Sequence, residues 1–463
     1  VLRRLTGKCL MAHVREAARE HLFPTQLGVA VPGGAEVAVH TVRAWVGPLP
    51  CLGPLGCLDL WAAHHSSVWR CSYPVSNGSP AGRSARPSAF CGPWPPRFSG
   101  LDLGLFYLDD GVLAGDVPAV AAALTQTQRQ AATLGLRLNL RKCEVVAVGD
   151  VSLGDLVAHF PGELLRELDG SSKVLRNFEL LGAPVGDLAS TKPHALTRVA
   201  GAKALLEALG ELDDPQVGLR LLRACAGHCR LVHSMRCAPP EFQMEGFREF
   251  DQLVRSCFSS LTGLHLDTGQ WEQAGLGFAL GGLGLRSTVL DVDGHFSTAA
   301  VPTRPDVQQA LAELNRHAAA PLTAPTALML KQKPLTAGLD NNSWERRLAA
   351  GTTAAQAVLR SEAEPGARAF LAAVPNGRKR MEAGVFVAEL RQRLGLPDAV
   401  LDAWCPRCDC VLDRFSYHAG LCSAGGERTL RHHALRDVLC SWAERAGLQP
   451  EREKPGLLLP SYL

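Results

Sequence analysis

The run LFYLDDGVLAG, residues 105–115, restricts the fold more than any other stretch of the chain. Two short apolar segments, GLFY and GVLAG, flank adjacent carboxylates as two strands, with Asp110-Gly111 as the hairpin-turn signal. Asp116 and Pro118 then supply an N-cap and a first-turn proline for a helix running to about Leu134, which Gly135 ends. LRLNLRKCEVVAVG (136–149) reads as strand, turn, strand. The succession predicts an α+β unit, an antiparallel sheet with helices on one face. Two like charges side by side cost free energy unless a cation neutralises them or both reach water. Asp109 and Asp110 are therefore either a metal site or an exposed turn.

With 463 residues the chain is long enough for about two to four domains with real cores. Its 46% hydrophobic and 20% charged content is that of a soluble globular protein, and no apolar stretch is long enough to span a bilayer. No signal peptide is visible. A net charge of +3 permits a nucleic-acid partner without demanding one. The fifteen cysteines, odd in number and scattered, suit reduced thiols inside a cell, in nucleus or cytoplasm. The chain opens on Val1 rather than Met, the expectation for a fragment.

KCLMAHVREAAREHL (8–22) reads as an amphipathic helix stopped by Pro24, QLGVAV (26–31) as a short strand, and GGAEVAVHTVRAWV as helical. Residues 49–103 differ from everything around them: they hold no Lys and no Glu, but three Trp and four Cys among many Pro and Ser. Neither the 3.6 nor the 2.0 hydrophobic period appears there, so the segment is expected to encode no packed element. From about 193 to 262 the pattern is helical. In GLRLLRACAGHCRLVHSMR, Leu221, Leu222, Cys225, Cys229 and Val232 form one apolar face, with Arg220, Arg223 and Arg230 opposite. By themselves those arginines read as a solvated surface. Residues 291–345 read as a linker, followed by weak helices to about 400.

CPRCDCVLDRFSYHAGLC places Cys405, Cys408, His418 and Cys422 at Cys-x2-Cys-x9-His-x3-Cys spacing. A Cys-x2-Cys turn presents two thiolates to one zinc ion, and a second pair closes the tetrahedron as a structural site. Cys410 is an alternative to Cys408 as the second ligand. The helix that follows carries Arg428, Arg431, His432, His433 and Arg436, which suits nucleic-acid binding beside a zinc module.

FYLDDG, a helix, and then GLRLNLRKCEV together resemble the palm of reverse transcriptases from non-LTR (LINE-type) retrotransposons. FELLGAPVGD (178–187) is similar to that family's next hairpin, the primer grip. PTQLGVAVPGGAEVAVHTVRAW resembles its fingers, and LLRACAGHCRLVHSMRCAPP, FDQLVRSCFSSLTG and GGLGLRS its thumb side. The Cys/His module followed by RHHALRD matches the branch with a C-terminal zinc module and a restriction-enzyme-like endonuclease. The resemblance implies fingers over 1–48, a palm remnant over 104–190, a helical thumb-like region over 191–290 and a zinc module with a basic helix over 401–463. It further implies Mg²⁺ held by Asp109, the more direct ligand, and by Asp110, with Lys142 near the triphosphate and Asn139 shaping that loop. Arg220, Arg223, Arg230 and Arg431 would then track the backbone of an RNA template, a DNA primer or target DNA.

The family's third carboxylate, on an earlier strand, and its Gln-Gly-Asp-Pro loop are not recognisable between Trp45 and Phe106. Asp59 and Asp102 are the only acids in the 49–103 segment, and a deletion with a shifted reading frame accounts for it. The acidic residues of the family's nuclease are missing after EKPGLLLP. The expectation is a partial reverse transcriptase defective in catalysis. The alternatives are a non-enzymatic, zinc-dependent nucleic-acid-binding protein and a product that folds poorly because sheet edges are exposed.

Overall fold

The computed structural model describes residues 31–46, 66–72, 98–108, 110–133, 138–300, 305–422 and 427–452, with Glu16, Arg19, Glu20, Phe23, Gln26 to Gly28 and Ala424. Asp109 and most of the helix expected over 8–22 lie outside the described residues. α1 (Gly34–Val46) occupies the segment read as helical. Of the strand expected at 26–31, the described residues keep one parallel bridge, Gln26 to Phe106.

Four strands form the main sheet: β1 (Ser66–Ser72), β2 (Leu103–Tyr107), β3 (Asp110–Asp116) and β4 (Glu144–Val148). Their order is β2-β3-β1-β4, with every neighbouring pair antiparallel. β2 and β3 are a hairpin, and α2 (Val117–Thr133) carries the chain from β3 to β4. Because β1 lies between β3 and β4, this is a split β-α-β arrangement.

β1 overturns the expectation that 49–103 encodes no packed element. SSVWRCS is short and lacks alternation, but Val68 and Trp69 suit a pleated strand. Pairing it on both sides gives the inner edges of β3 and β4 the hydrogen-bond partners they would otherwise lack.

The sheet is also covered on two faces rather than one. Gly111 to Gly115 of β3 are buried without a break, the mark of a strand packed on both sides. Leu113 packs with Phe106, Val145 and Val120 and Leu124 of α2. α3 (Leu153–His159) and α4 (Gly162–Leu165) add Leu156 and Leu164 to that layer. Val112, Ala114 and Val146 turn the other way, toward Val39 and Val42 of α1. A second hairpin, β5 (Phe178–Leu180) and β6 (Ala183–Val185), joins this opposite layer. Its two-residue turn, Leu181 and Gly182, has φ of 50° and 79°, the left-handed pair that matches strand twist.

A helical region follows: α5 (Leu188–Gly210), α6 (Pro215–Leu221), α7 (Val232–Cys237), α8 (Met244–Thr262), α9 (Thr268–Gly275) and α10 (Thr288–Ala299). Leu206, Leu222, Met235, Phe250, Phe258 and Val292 share its core. The continuous helix read across 218–236 is broken. α6 gives way to a π-helical turn over Leu222–Ala226, and the chain leaves the helix at Gly227. Gly227 N donates to Leu222 O at 2.6 Å, and a Cβ there would sit 2.6 Å from that same oxygen. The predicted apolar face is consequently split: Leu222 is buried, while Leu221, Cys225 and Cys229 are exposed.

Residues 291–400, read as linker and weak helices, instead hold α11 (Pro305–His317), α12 (Ala324–Met329), α13 (Gln332–Ala350), α14 (Thr353–Ala363), α15 (Ala369–Ala372) and α16 (Ala383–Arg393). Much of their packing uses alanines, among them Ala310, Ala324 and Ala327, which leave little periodic signal. Arg393 is fully buried at the end of α16, pairing with Glu362 at 2.8 Å and donating to the carbonyls of Phe278, Gly282, Glu362 and Ala367. The C-terminal module comprises β7 (Ala403–Trp404), β8 (Val411–Leu412), α17 (Tyr417–Leu421) and α18 (Glu427–Arg445). The whole is mixed α+β with small antiparallel sheets.

Candidate functional site

β2 ends at Tyr107 and β3 begins at Asp110, and these two residues pair. Leu108, between them, has φ of 55°, in the left-handed region. The expected turn pair is thereby corrected: Asp110 and Gly111 already belong to β3, and Gly111 lies opposite Phe106. A Cβ on Gly111 would stand 2.8 Å from Phe106 Cε1, so the glycine serves packing rather than the turn. Gln26, fully enclosed at 1% exposure, grips the tip. Its Oε1 accepts from Leu108 N and Gly28 N, each at 2.9 Å, and its Nε2 donates to Leu108 O at 3.3 Å. Reading the sequence missed Gln26, since a lone glutamine before an apolar run carries no signal.

On β1, Ser72 pairs with Asp110 and Cys71 with Gly111. The strand beside the doublet thus carries Ser, Val, Trp, Arg and Cys, and no acid. A divalent cation shared between strands needs several converging carboxylate oxygens. Asp109 lies outside the described residues, and β1, the described strand beside Asp110, supplies no carboxylate to the magnesium site that the resemblance implies. Lys142 is exposed at the end of the 3-10 turn Leu140–Lys142, which Asn139 caps through its Oδ1 on Arg141 N at 3.1 Å. That turn leads into β4 beside Arg70. Asp110 and Lys142 therefore emerge at one end of the sheet, on either side of β1, two strand spacings or roughly 10 Å apart.

The three arginines of the broken helix do not form a common free face. Arg220 donates to the carbonyl of Ala372 at 3.3 Å, closing the end of α15. Arg223 lies over the Phe278 ring, 3.8 Å from its centroid, and burial with Arg220 nearby lowers its pKa to about 10. Only Arg230 of the three is exposed, and Arg431 is exposed on α18.

The C-terminal cysteines and histidine do converge. One ligand atom from each of Cys405, Cys408, His418 and Cys422 lies within 4.8 Å of the other three. Cys405 Sγ and Cys422 Sγ are 3.9 Å apart, Cys422 Sγ and Cys408 Sγ 3.8 Å, and Cys408 Sγ and His418 Nε2 3.2 Å. Tetrahedral zinc with its usual bond lengths has ligand–ligand edges of roughly 3.5–3.8 Å. The donor set and its geometry fit that ion. Cys410, the alternative second ligand, is exposed and outside the cluster, and its carbonyl instead accepts from Cys405 N at 3.0 Å. A backbone N–H from Arg407 leads the interactions that lower the Cys405 thiol to about 6.

Asp413 locks the second ligand pair in place, accepting from the backbone N–H of Phe415, Tyr417 and His418 at 3.0, 3.2 and 2.7 Å. Against slight burial, these bonds hold its carboxyl below the ordinary value. Of the other described cysteines, Cys225, Cys229, Cys237, Cys257, Cys410 and Cys440 are free thiols, whereas Cys143 is disulfide-bonded.

A second cluster escaped the sequence reading because its members are distant in the chain. His228 Nε2 lies 3.2 Å from Asp291 Oδ2, and the His228 and His295 rings are 5.2 Å apart. Arg236 Nε donates to His295 Nδ1 at 3.4 Å, and Arg286 Nη1 lies 3.6 Å from Asp291 Oδ2. Arg286 and Arg236 also pair with Asp340 and Glu36. Two guanidiniums against the same groups make this an ion-pair network tying α1, α7, α10 and α13 together, rather than a cation site. Burial, and then His228, drives the His295 pKa down to about 3.

Neither protein-family models nor curated proteins give any match to this chain. Among the described residues no helix is long and apolar enough to cross a membrane.

Proposed function

We propose that the chain is a partial reverse transcriptase of the non-LTR retrotransposon type, an RNA-directed DNA polymerase by descent that is catalytically defective. The observation that carries the reading is the β2-β3-β1-β4 sheet with the acidic hairpin at one end. In a polymerase palm such a sheet brings carboxylates from adjacent strands to two metal ions that stabilise the attacking and leaving oxygens. Here the neighbour of Asp110 is Ser72, and we assign no metal-dependent step to the site. A primer-extension assay with RNA template, DNA primer and Mg²⁺ tests the reading. The expected result is no extension, and extension that Asp109→Ala abolishes would overturn the defect.

The zinc-site geometry favours a second reading, a non-enzymatic nucleic-acid-binding protein. In it, zinc fixes the β7–β8 hairpin against α17, and α18 presents Arg431 to phosphates. Binding that fails when Cys405 is replaced, but is unchanged by substitutions in the β2–β3 hairpin, supports this reading over the first.

A further inference from the structure

The hairpin that carries the first two members of the Cys/His cluster also carries a third thiol. β7 and β8 pair Trp404 with Val411, so Cys405 and Cys410 come next across the hairpin, and Cys405 N donates to Cys410 O at 3.0 Å. Cys408 Sγ accepts from the backbone N–H of Cys410, and the side chains of the two residues also interact. Cys410 is exposed and lies outside the four-donor cluster, which could hold zinc. It is therefore a free thiol fixed beside a ligand sulfur without being a ligand.

The two kinds of sulfur differ in reactivity. A thiolate bound to zinc has committed an electron pair to the ion. An exposed thiol that is no ligand keeps its pair for attack on an electrophile, and a sulfenic acid formed there condenses with a neighbouring thiol. Of the other described free thiols, Cys237, Cys257 and Cys440 are buried, and the exposed Cys225 and Cys229 are remote in the chain from all four donors.

We propose that Cys410 is an oxidation site for small hydroperoxides, and that its oxidation withdraws Cys408 from the cluster as a Cys408–Cys410 disulfide. The proposal rests on the reading of the cluster as a zinc site. First, the Cys410 sulfur attacks one peroxide oxygen. An S–O bond forms, the O–O bond breaks, and the thiol proton leaves with the other oxygen as water or an alcohol. The Cys408 thiolate then attacks the Cys410 sulfur, the S–S bond forms as the S–O bond breaks, and hydroxide leaves. The two sulfurs lose two electrons and the peroxide gains them. Three donors then remain where structural zinc takes four, so oxidation should release the ion.

The test is hydrogen peroxide added to the reduced, zinc-loaded full chain, with a colorimetric chelator reading the ion and mass spectrometry reading the crosslink. Thiol blocking of an untreated sample first reports how much zinc the chain holds. An empty cluster would defeat the zinc reading, and this proposal with it, before any peroxide is added. A loaded chain should release its zinc, and a dithiol reductant should restore uptake. Cys410→Ser should start equally loaded and release zinc at least about tenfold more slowly, because only ligand sulfurs remain there to react. Cys225→Ser should release it at the wild-type rate. Trypsin cuts after Arg407, so a Cys408–Cys410 bond stays within the peptide 408–414 and lowers its mass by two hydrogens. Equal release by wild type and Cys410→Ser, or a crosslink joining the peptides on either side of Arg407, would overturn the proposal and leave the zinc site standing.

Discussion

Phe106 and Gly111 face each other across the β2–β3 hairpin, and the phenyl ring lies where a side chain on residue 111 would begin. With Phe106 1% exposed, the ring has little room to retreat. Gly111→Ala should therefore destabilise the protein by about 1–3 kcal/mol, the usual cost of overpacking. Urea denaturation checks the value. In a Phe106→Leu background the same substitution should cost measurably less, because the two sites are coupled.

Gln26 makes a related prediction. Its amide satisfies both backbone groups of Leu108, a residue held at positive φ. Gln26→Leu leaves the part-buried N–H of Leu108 without its acceptor, a loss of about 1 kcal/mol. Hydrogen exchange at Leu108 should quicken selectively; unchanged protection there would mean that the clamp does not hold the tip.

The Cys405, Cys408, His418 and Cys422 cluster, which could hold zinc, predicts a stoichiometry and a ligand choice. Purified protein should release one zinc per chain when its thiols are blocked, measured with a colorimetric chelator. Cys408→Ser should lose the ion, whereas Cys410→Ser should keep it, because Cys410 lies outside the cluster. Retention by the first variant and loss by the second would reverse the assignment.

The buried His295 gives a pH dependence whose sign is fixed. Its folded pKa, about 3, lies below the unfolded value of about 6.5, so the unfolded chain takes up a proton that the fold refuses. Its contribution is intact above pH 6.5 and is lost as pH falls from there toward 3, by about 1.4 kcal/mol per unit. Asp293 acts in the opposite sense: burial, and then Glu313, raises it to about 7, so its contribution is lost as pH rises from about 4 to 7. The two partly cancel in the wild type. The clean observable is the stability difference between wild type and His295→Gln, which should shift against wild type as pH falls below 6.5.

Arg393 supplies the largest expected single loss. Arg393→Met would strand Glu362 and several buried carbonyls, at about 3–5 kcal/mol. Equilibrium denaturation reads it.

What the sequence made legible follows the strength of its local signals. The hairpin strands, the helix opening after Asp116 and the Cys/His spacing were readable because turn chemistry, capping and ligand spacing are local. β1 was not: seven residues inside a Pro- and Ser-rich segment acquire their role only by lying between β3 and β4. Gly227 broke a helix whose apolar period runs straight through it, because the break depends on one backbone contact with Leu222. The arginine face dissolved for the same reason, as Arg223 found Phe278 and Arg220 found the end of α15. His228, Asp291 and His295 came together from separate elements and had no motif to announce them.

The central proposal is that the chain, read as derived from a polymerase, binds nucleic acid without a working magnesium site. Fluorescence anisotropy of a labelled DNA primer on an RNA template, titrated with protein at low and high salt with and without Mg²⁺, tests it most directly. The account predicts binding that weakens steeply as salt rises and does not respond to Mg²⁺. No binding at low salt, or binding that requires Mg²⁺, would contradict it.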